Sequence, residues 1–275
     1  IYDPQGGADK AHLNHFINPN NYTTGGLAYI DKALEWGLKH GIAILLDMHA
    51  APGSQNGNDH SSPVDTGQIY WDKYEANVGQ TVDSMGLYAQ RYANHSALFG
   101  FCLLNEPAKL NMSVLQDYYK RAYAKIHQYS PNSHIVLNPL INPFESGTEA
   151  HWTGFMNPKE GYHNVSMDLH YYSCFGGPPD QSNPDGAIGY IKTDRKNQII
   201  DYMKNNPKPM LIGEWSACGH FSETRTGDFT RAQVDVYNTA NLGWTFWSWT
   251  DGAHGNVWSM KTALNSGWMD NIKES

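Results

Sequence analysis

Two glutamates follow directly on apolar runs: Glu106 in Leu103-Leu-Asn-Glu-Pro107 and Glu214 in Ile212-Gly-Glu-Trp-Ser216. An ionisable group at such a place is costly to bury without partners, so each position asks for a reason. Two carboxyls carried by separate segments suit cleavage of a glycosidic bond. One protonates the leaving oxygen and the other stands on the opposite face of the sugar. In the retaining mechanism the carboxyls lie about 5 Å apart, and the second forms a covalent glycosyl-enzyme. Each needs a different pKa, which neighbouring dipoles and charges can set. Further polar and aromatic residues fall at comparable places: His49 in Asp47-Met-His49, Asn105, His170 and Tyr172, and Trp247 with Trp249. His170 and the Tyr172 hydroxyl are placed to hydrogen-bond and orient a carboxylate nucleophile. Asn105 suits the sugar 2-hydroxyl.

Each residue also has a plainer reading. Asn-Glu-Pro often caps a strand or starts a turn. A lone histidine such as His49 is commonly a hydrogen-bonded core residue. Trp247 and Trp249, two apart on one strand face, serve equally well to fill a barrel. Asp47-Met-His49 reads as a metal-ligand pair, but no His-x-His or Cys/His cluster at useful spacing accompanies it. Neither a metal nor a cofactor is expected.

The elements that must position these residues are legible as short apolar runs alternating with longer stretches of helical period, the pattern of βα units and a parallel sheet. The predicted strands are 42–46, 99–104, 135–137, 165–170, 210–214 and 244–249. Between them, Leu27, Ile30, Leu34 and Leu38 mark one helix face, and Val78, Val82, Met85, Ala89 and Tyr92 a second. Leu115, Tyr119, Ala122, Ile126 and Tyr129 mark a third. Helices through Ile191, Ile199 and Tyr202, and through Ala232, Val236 and Ala240, complete the series. The expected fold is α/β, a (β/α)8 TIM barrel, in which catalytic residues sit at the C-terminal strand ends. A closed barrel has eight strands, and these runs supply six. Either the protein is longer, or another chain completes the barrel, or the fold is not a closed barrel. The expectation is an N-terminal segment of the same protein that supplies the first two βα units. Residues 1–275 form a single catalytic domain on this reading, N-terminally incomplete, without linker or repeat.

Composition narrows the class. Acidic residues outnumber basic ones 27 to 19, for a formal charge of −8, and no basic run suggests nucleic acid. No apolar stretch reaches the length of a membrane span. With 9 Trp and 17 Tyr the chain is rich in rings that stack on sugar faces, although such rings also fill cores. Asn21, Asn94, Asn111 and Asn164 each open an Asn-x-Ser/Thr sequon and are candidate glycosylation sites. Four in a chain of this length point to a secreted or cell-wall glycoprotein.

The motifs taken together resemble glycoside hydrolase family 5. Leu103-Leu-Asn-Glu-Pro107, Ile212-Gly-Glu-Trp-Ser216 and the run from Asp47 through His-Ala-Ala-Pro-Gly-Ser-Gln-Asn-Gly57 carry the likeness. Gly243-Trp-Thr-Phe-Trp-Ser-Trp249 and Trp258-Ser-Met-Lys261 narrow it to the eukaryotic exo-β-1,3-glucanase-like branch, over about Gly25 to Trp268. The resemblance implies Glu106 as acid/base and Glu214 as nucleophile. It also implies substrate roles for His49, Asn105, His170, Tyr172 and a last-strand tryptophan, Trp247 with Trp249 second. It makes the six strands the family's third to eighth. The family's first two strands, and an active-site arginine ending the second, have no counterpart here, and Ile1-Tyr2-Asp3-Pro4 resembles the loop beyond that second strand. Cys174 lies four residues past His170 and Cys218 four past Glu214, on strands expected to be neighbours. A disulfide between them is expected at the rim, with Cys102 a buried thiol.

The expected activity is retaining hydrolysis of a β-glucan, most specifically exo-action on β-1,3-glucan, with transglycosylation open to any hydroxyl that reaches the intermediate. Two alternatives stand beside it. One is a non-catalytic glucan-binding or structural wall glycoprotein on the same fold. The other is an enzyme of β-1,4-glucan or mannan.

Overall fold

The alternation read from the sequence becomes alternating parallel strands and helices in a computed structural model, which describes residues 25–141, 152–176, 183–219, 221–250 and 255–272. The Ile1–Pro4 motif and the Asn21 sequon lie outside the described residues. The chain divides into two compact units, residues 1–142 with 162–165, and 143–161 with 166–275.

In the first unit α1 (Leu27–His40) leads to β1 (Ile44–Asp47), α2 (Glu75–Tyr92) to β2 (Leu98–Cys102), and α3 (Met112–His127) to β3 (His134–Leu137). β1 pairs with β2 and β2 with β3, all parallel, with Leu46 opposite Phe101 and Phe101 opposite Ile135. α1 stops at Gly41, whose φ of 67° is left-handed and lets its N–H return to the Gly37 carbonyl. Gly37 brings the helix onto the strand, because a Cβ there would stand 2.6 Å from the Ile42 carbonyl oxygen. The buried face of α2 is Val78, Val82, Met85, Ala89 and Tyr92, spaced as an amphipathic helix requires. α3 opens at Asn111, whose side chain accepts from the Ser113 N–H at 3.0 Å. It buries Leu115, Tyr118, Tyr119, Ala122 and Ile126. Two of these tyrosines reach strand ends: the Tyr118 hydroxyl donates to the Leu103 carbonyl and that of Tyr119 to the Asn138 carbonyl, each at 2.6 Å. Burial raises the Tyr118 pKa well above its ordinary value, so the hydroxyl keeps its proton and remains a donor.

In the second unit β4 (Val165–Asp168), counted from Ser166, pairs in parallel with β5 (Met210–Leu211), Met167 lying opposite Met210. α4 (Pro184–Tyr190) passes through a π-helical turn, Ile191–Arg195, into α5 (Lys196–Asn205). α6 (Glu223–Tyr237) and α7 (Met260–Asn265) complete the unit. Its core gathers Ile191, Ile199, Met210, Ile212, Trp215, Phe229 and Tyr237. Trp215 is the hub, meeting Tyr237, Trp244 and Phe246 edge to face with centroids 4.9–5.2 Å apart. Lys208 is buried, and its ammonium donates to the carbonyls of Trp152, Thr153 and Phe155 at 2.6, 3.1 and 2.9 Å. Burial lowers its pKa from 10.5 to about 8, with Glu160 opposing the shift.

The sixth predicted strand, 244–249, is not a strand. It makes one parallel bridge, Ile212 to Trp244. The Thr245 and Trp247 N–H groups donate to the Ile212 and Trp215 carbonyls. Then the Ser248 N–H donates to the Trp258 carbonyl and the Met260 N–H to the Ser248 carbonyl, so a following loop takes the backbone groups from Ser248 on. The Trp247–Ser248 peptide bond is cis. The predicted strands 165–170 and 210–214 likewise end early, at Asp168 and Leu211. Beyond them Leu169 still donates to Leu211 and accepts from Gly213, and the residues that follow carry the polar groups of this unit.

Candidate active site

In the first unit the residues after β1 and β2 form one hydrogen-bonded body. Gln55 is fully buried, and its side-chain oxygen accepts from the Ala51 N–H at 3.1 Å. Its amide donates to the His49 carbonyl and the Asn105 carbonyl, both at 2.8 Å. The Asn105 N–H donates to the Met48 carbonyl at 3.0 Å, and the Ala108 N–H to the Gln55 carbonyl at 3.2 Å. One side chain therefore clasps the two turns that carry His49 and Glu106. Glu106 itself has φ 45°, left-handed for a residue with a Cβ, at a cost of roughly 1–2 kcal/mol. Asn56 helps hold it there by donating to the Glu106 carbonyl at 2.9 Å.

The Glu106 carboxylate, largely buried, has the His60 Nε2 at 3.2 Å. Asn56 is oriented by two bonds, accepting from the Asn58 N–H and donating to Glu106, and the same amide nitrogen stands 2.8 Å from His60 Nε2. An amide N–H aimed at that nitrogen treats it as an acceptor. His49 Nδ1 pairs with Asp47 at 2.8 Å, and the rings of His49 and His60 meet edge to face at 5.7 Å.

In the second unit Glu214 is held by its side chain. The Tyr172 hydroxyl donates to Glu214 Oε2 at 2.8 Å, and His170 Nδ1 lies 3.5 Å from the same oxygen. The other ring nitrogen, Nε2, is 3.3 Å from Asp168 Oδ2. Backbone bonds fix the turn: the Tyr171 N–H donates to the Glu214 carbonyl at 2.8 Å and the Gly213 N–H to the Leu169 carbonyl at 3.2 Å. A guanidinium also braces this strand end, Arg195 standing 3.8 Å over the Tyr171 ring from the π-helical turn.

Aromatic faces surround this second group. Tyr172 packs on Phe175 and Trp258 at 5.4 Å each, and Phe175 is 71% exposed. Trp247 and Trp249 are exposed as well, at 38% and 61%, so they do not fill a barrel core; Trp244 and Phe246, the alternate residues, pack inward on Trp215. Cys174 and Cys218 form a disulfide with Cα atoms 5.6 Å apart, tying the segments beyond His170 and Glu214 together. Cys102 is buried on β2.

The structure thus places His49, Asn105 and Glu106 in one group, and His170, Tyr172 and Glu214 in another. Sequence reasoning passed over Gln55, Asn56, His60, Asp168, Phe175 and Trp258 as site residues. Gln55 and Asn56 did lie inside the quoted Gly53-Ser-Gln-Asn-Gly57 run, and Asp168 alternates with His170 along one strand face. Of the sequons, Asn94, Asn111 and Asn164 are exposed. Among the described residues no helix is long and apolar enough to cross a membrane.

Solved structures share this fold. A rutinosidase from Aspergillus niger superposes with a TM-score of 0.72 at 17% identity, covering 92% of this chain and 75% of that one. Thermotoga maritima Cel5A superposes with 0.62 at 18% identity, covering 91% and 80%. The chain is therefore a (β/α)8-type protein with carboxylates, histidines and aromatic rings gathered beyond its strand ends. The family profile of Cellulase (glycosyl hydrolase family 5) matches residues 11–253, and the chain belongs to glycosyl hydrolase family 5. Among curated relatives, the probable glucan 1,3-beta-glucosidase A of Emericella nidulans is 30% identical over 293 residues, 90% of this chain and 67% of that protein. The glucan 1,3-beta-glucosidase of Blumeria graminis is 28% identical, over 84% of this chain and 62% of that one. The chain spans about two thirds of the length of the curated relatives it matches.

Proposed function

We propose that this protein is a retaining glycosidase of β-glucan that releases glucose from the ends of β-1,3-linked chains. Glu214 attacks the anomeric carbon while Glu106 protonates the departing glycosidic oxygen. Glu106 then takes a proton from water, which cleaves the glycosyl-enzyme and returns the original anomeric configuration. A sugar hydroxyl in place of water gives transglycosylation. The observation that carries the reading is the environment of Glu214. A tyrosine hydroxyl and a histidine nitrogen meet one oxygen of a largely buried carboxylate and fix its direction, as a nucleophile requires. Asn105 is assigned to the sugar 2-hydroxyl, His49 to a neighbouring hydroxyl, and the exposed Trp247 and Trp249 to stacking on the sugar, with no metal or cofactor in the reaction. Residues 1–275 belong on this reading to one catalytic domain.

The β-1,3 linkage and the exo mode rest on the curated relatives, which are named glucan 1,3-beta-glucosidases. A secreted or cell-wall location suits the Cys174–Cys218 disulfide, which persists in oxidising compartments, and the exposed sequons at Asn94, Asn111 and Asn164. The test is incubation with laminarin beside Glu214→Gln. Glucose released in its retained anomer by the parent and not by the variant supports the reading. Laminarin bound without turnover points instead to a glucan-binding protein, and turnover of a β-1,4-glucan in preference to laminarin moves the substrate to the second alternative.

A further inference from the structure

β4 ends on a buried aspartate to which the proposed chemistry gives no role. The Asp168 side chain is 7% exposed and that of His170 4%. The two contacts of the ring, Nε2 to Asp168 at 3.3 Å and Nδ1 to Glu214 at 3.5 Å, lie on opposite edges of one imidazole. A neutral imidazole has one N–H, so it serves one carboxylate and turns a lone pair toward the other. Only the doubly protonated ring donates to both. A second observation concerns the residue before Glu214. A Cβ added at Gly213 would overlap the Asp168 carboxylate, and the φ of Gly213 is not left-handed, so glycine is needed there for space rather than for conformation. The backbone of Gly213 is itself fixed, donating to the Leu169 carbonyl and accepting from the Thr245 hydroxyl. The aspartate is therefore packed into a notch of main chain immediately beneath Glu214.

We propose that Asp168 is a positioning residue for the nucleophile: it fixes the His170 ring and holds its second proton, so that Nδ1–H is presented to Glu214. This rests on the assignment of Glu214 as nucleophile. No bond to substrate involves Asp168, which acts through the ring alone, as a buried aspartate does when it sets the tautomer of a catalytic histidine. Gly213 is part of the same device, because any side chain there displaces the carboxylate.

The test compares the parent with Asp168→Asn and Gly213→Ala, by the 15N shifts of the His170 ring, the melting temperature, kcat and KM on laminarin, and the rate of covalent trapping by an activated 2-deoxy-2-fluoroglucoside. The parent ring is expected to show two protonated nitrogens. Asp168→Asn keeps the shape and removes the charge. It should leave one nitrogen unprotonated, slow trapping and kcat at least about tenfold and hold KM within about twofold, with the fold intact. Gly213→Ala should move the same signals in the same direction. A singly protonated His170 ring in the parent overturns the proposal, even if neither variant folds. So does an Asp168→Asn protein whose ring shifts and trapping rate match the parent. A loss of kcat with His170 unchanged also overturns it, because that pattern belongs to a purely structural residue. The nitrogen shifts report on Asp168 without reference to turnover. Full activity in Glu214→Gln would remove the nucleophile assignment separately.

Discussion

The two proposed catalytic glutamates are both anchored through their carbonyls, and they differ in what meets the carboxylate. Glu106 is fixed through its main chain: Asn56 bonds its carbonyl, and Gln55 binds the carbonyl of the residue before it. Its carboxylate faces a histidine whose near nitrogen also receives an amide N–H. The Glu214 carbonyl is bonded too, by the Tyr171 N–H, but its carboxylate is approached at one oxygen by a tyrosine hydroxyl and a histidine. The contrast fits the work each is proposed to do. An acid/base must lose and regain a proton in every cycle, so donors that hold its charged form would oppose the second half of that exchange. A nucleophile must stay ionised until it attacks, and donors on its oxygen serve that end. The Glu106 carboxylate is left to exchange a proton beside His60, whereas that of Glu214 is oriented by donors on one oxygen.

Substitutions can break this contrast, and the largest effect is expected at the carboxylates themselves. Glu214→Gln should remove laminarin turnover by a factor on the order of 10⁴ or more. Glu106→Gln should spare trapping by substrates with good leaving groups, since these need no acid. Rapid-mixing kinetics on an activated aryl glucoside and on laminarin separate the two, and equal losses on both substrates would erase the distinction. Next comes the clasp. Gln55→Leu strips partners from the buried carbonyls of His49 and Asn105, at a cost of about 1–3 kcal/mol for each group left unsatisfied. Its melting temperature and activity should fall together. Tyr172→Phe is the counterpart in the other unit. It removes one donor from Glu214 and should lower kcat by roughly 10- to 100-fold while the melting temperature stays near the parent's. A Tyr172→Phe protein that melts early but turns over normally would reverse the expected pattern.

His60→Gln should have a smaller effect, roughly severalfold on kcat, because Gln can still meet Asn56 but exchanges no proton with Glu106. Its pH–rate profile, compared with that of the parent, shows whether the histidine takes part in the proton exchange. Away from both carboxylates, Lys208→Met serves as the control. Three carbonyls lose their ammonium donor, at about 1–3 kcal/mol for each one left unsatisfied, so stability should drop in denaturant titrations while kcat of the folded fraction is unchanged.

The sequence by itself determined the order of elements and the residues at the strand ends. Hydrophobic period separates strand from helix locally, and an ionisable group closing an apolar run is conspicuous in one dimension. That is why α2 buries the face read from its spacing, and α3 does so except at Tyr129, which lies beyond the helix and is exposed. It is also why Glu106, Glu214, His170 and Tyr172 stand out in the sequence. Trp244 through Trp249 misled for the same reason: alternating aromatics look like a strand, but whether a ladder forms depends on what the backbone meets. Here Thr245 and Trp247 still donate to Ile212 and Trp215, but from Ser248 on the loop at Trp258 and Met260 takes the hydrogen bonds. Only the tertiary structure decided that Gln55 is a clasp and not a loop amide, that His60 stands beside Glu106, and that Asp168 packs under Gly213. Each of these is a polar contact between residues 45 to 50 apart, or across a turn whose path depends on left-handed φ values at Ser54 and Glu106. Side-chain hydrogen bonds are short and directional, and nothing in a residue's type tells which distant carbonyl the folded chain will bring to it.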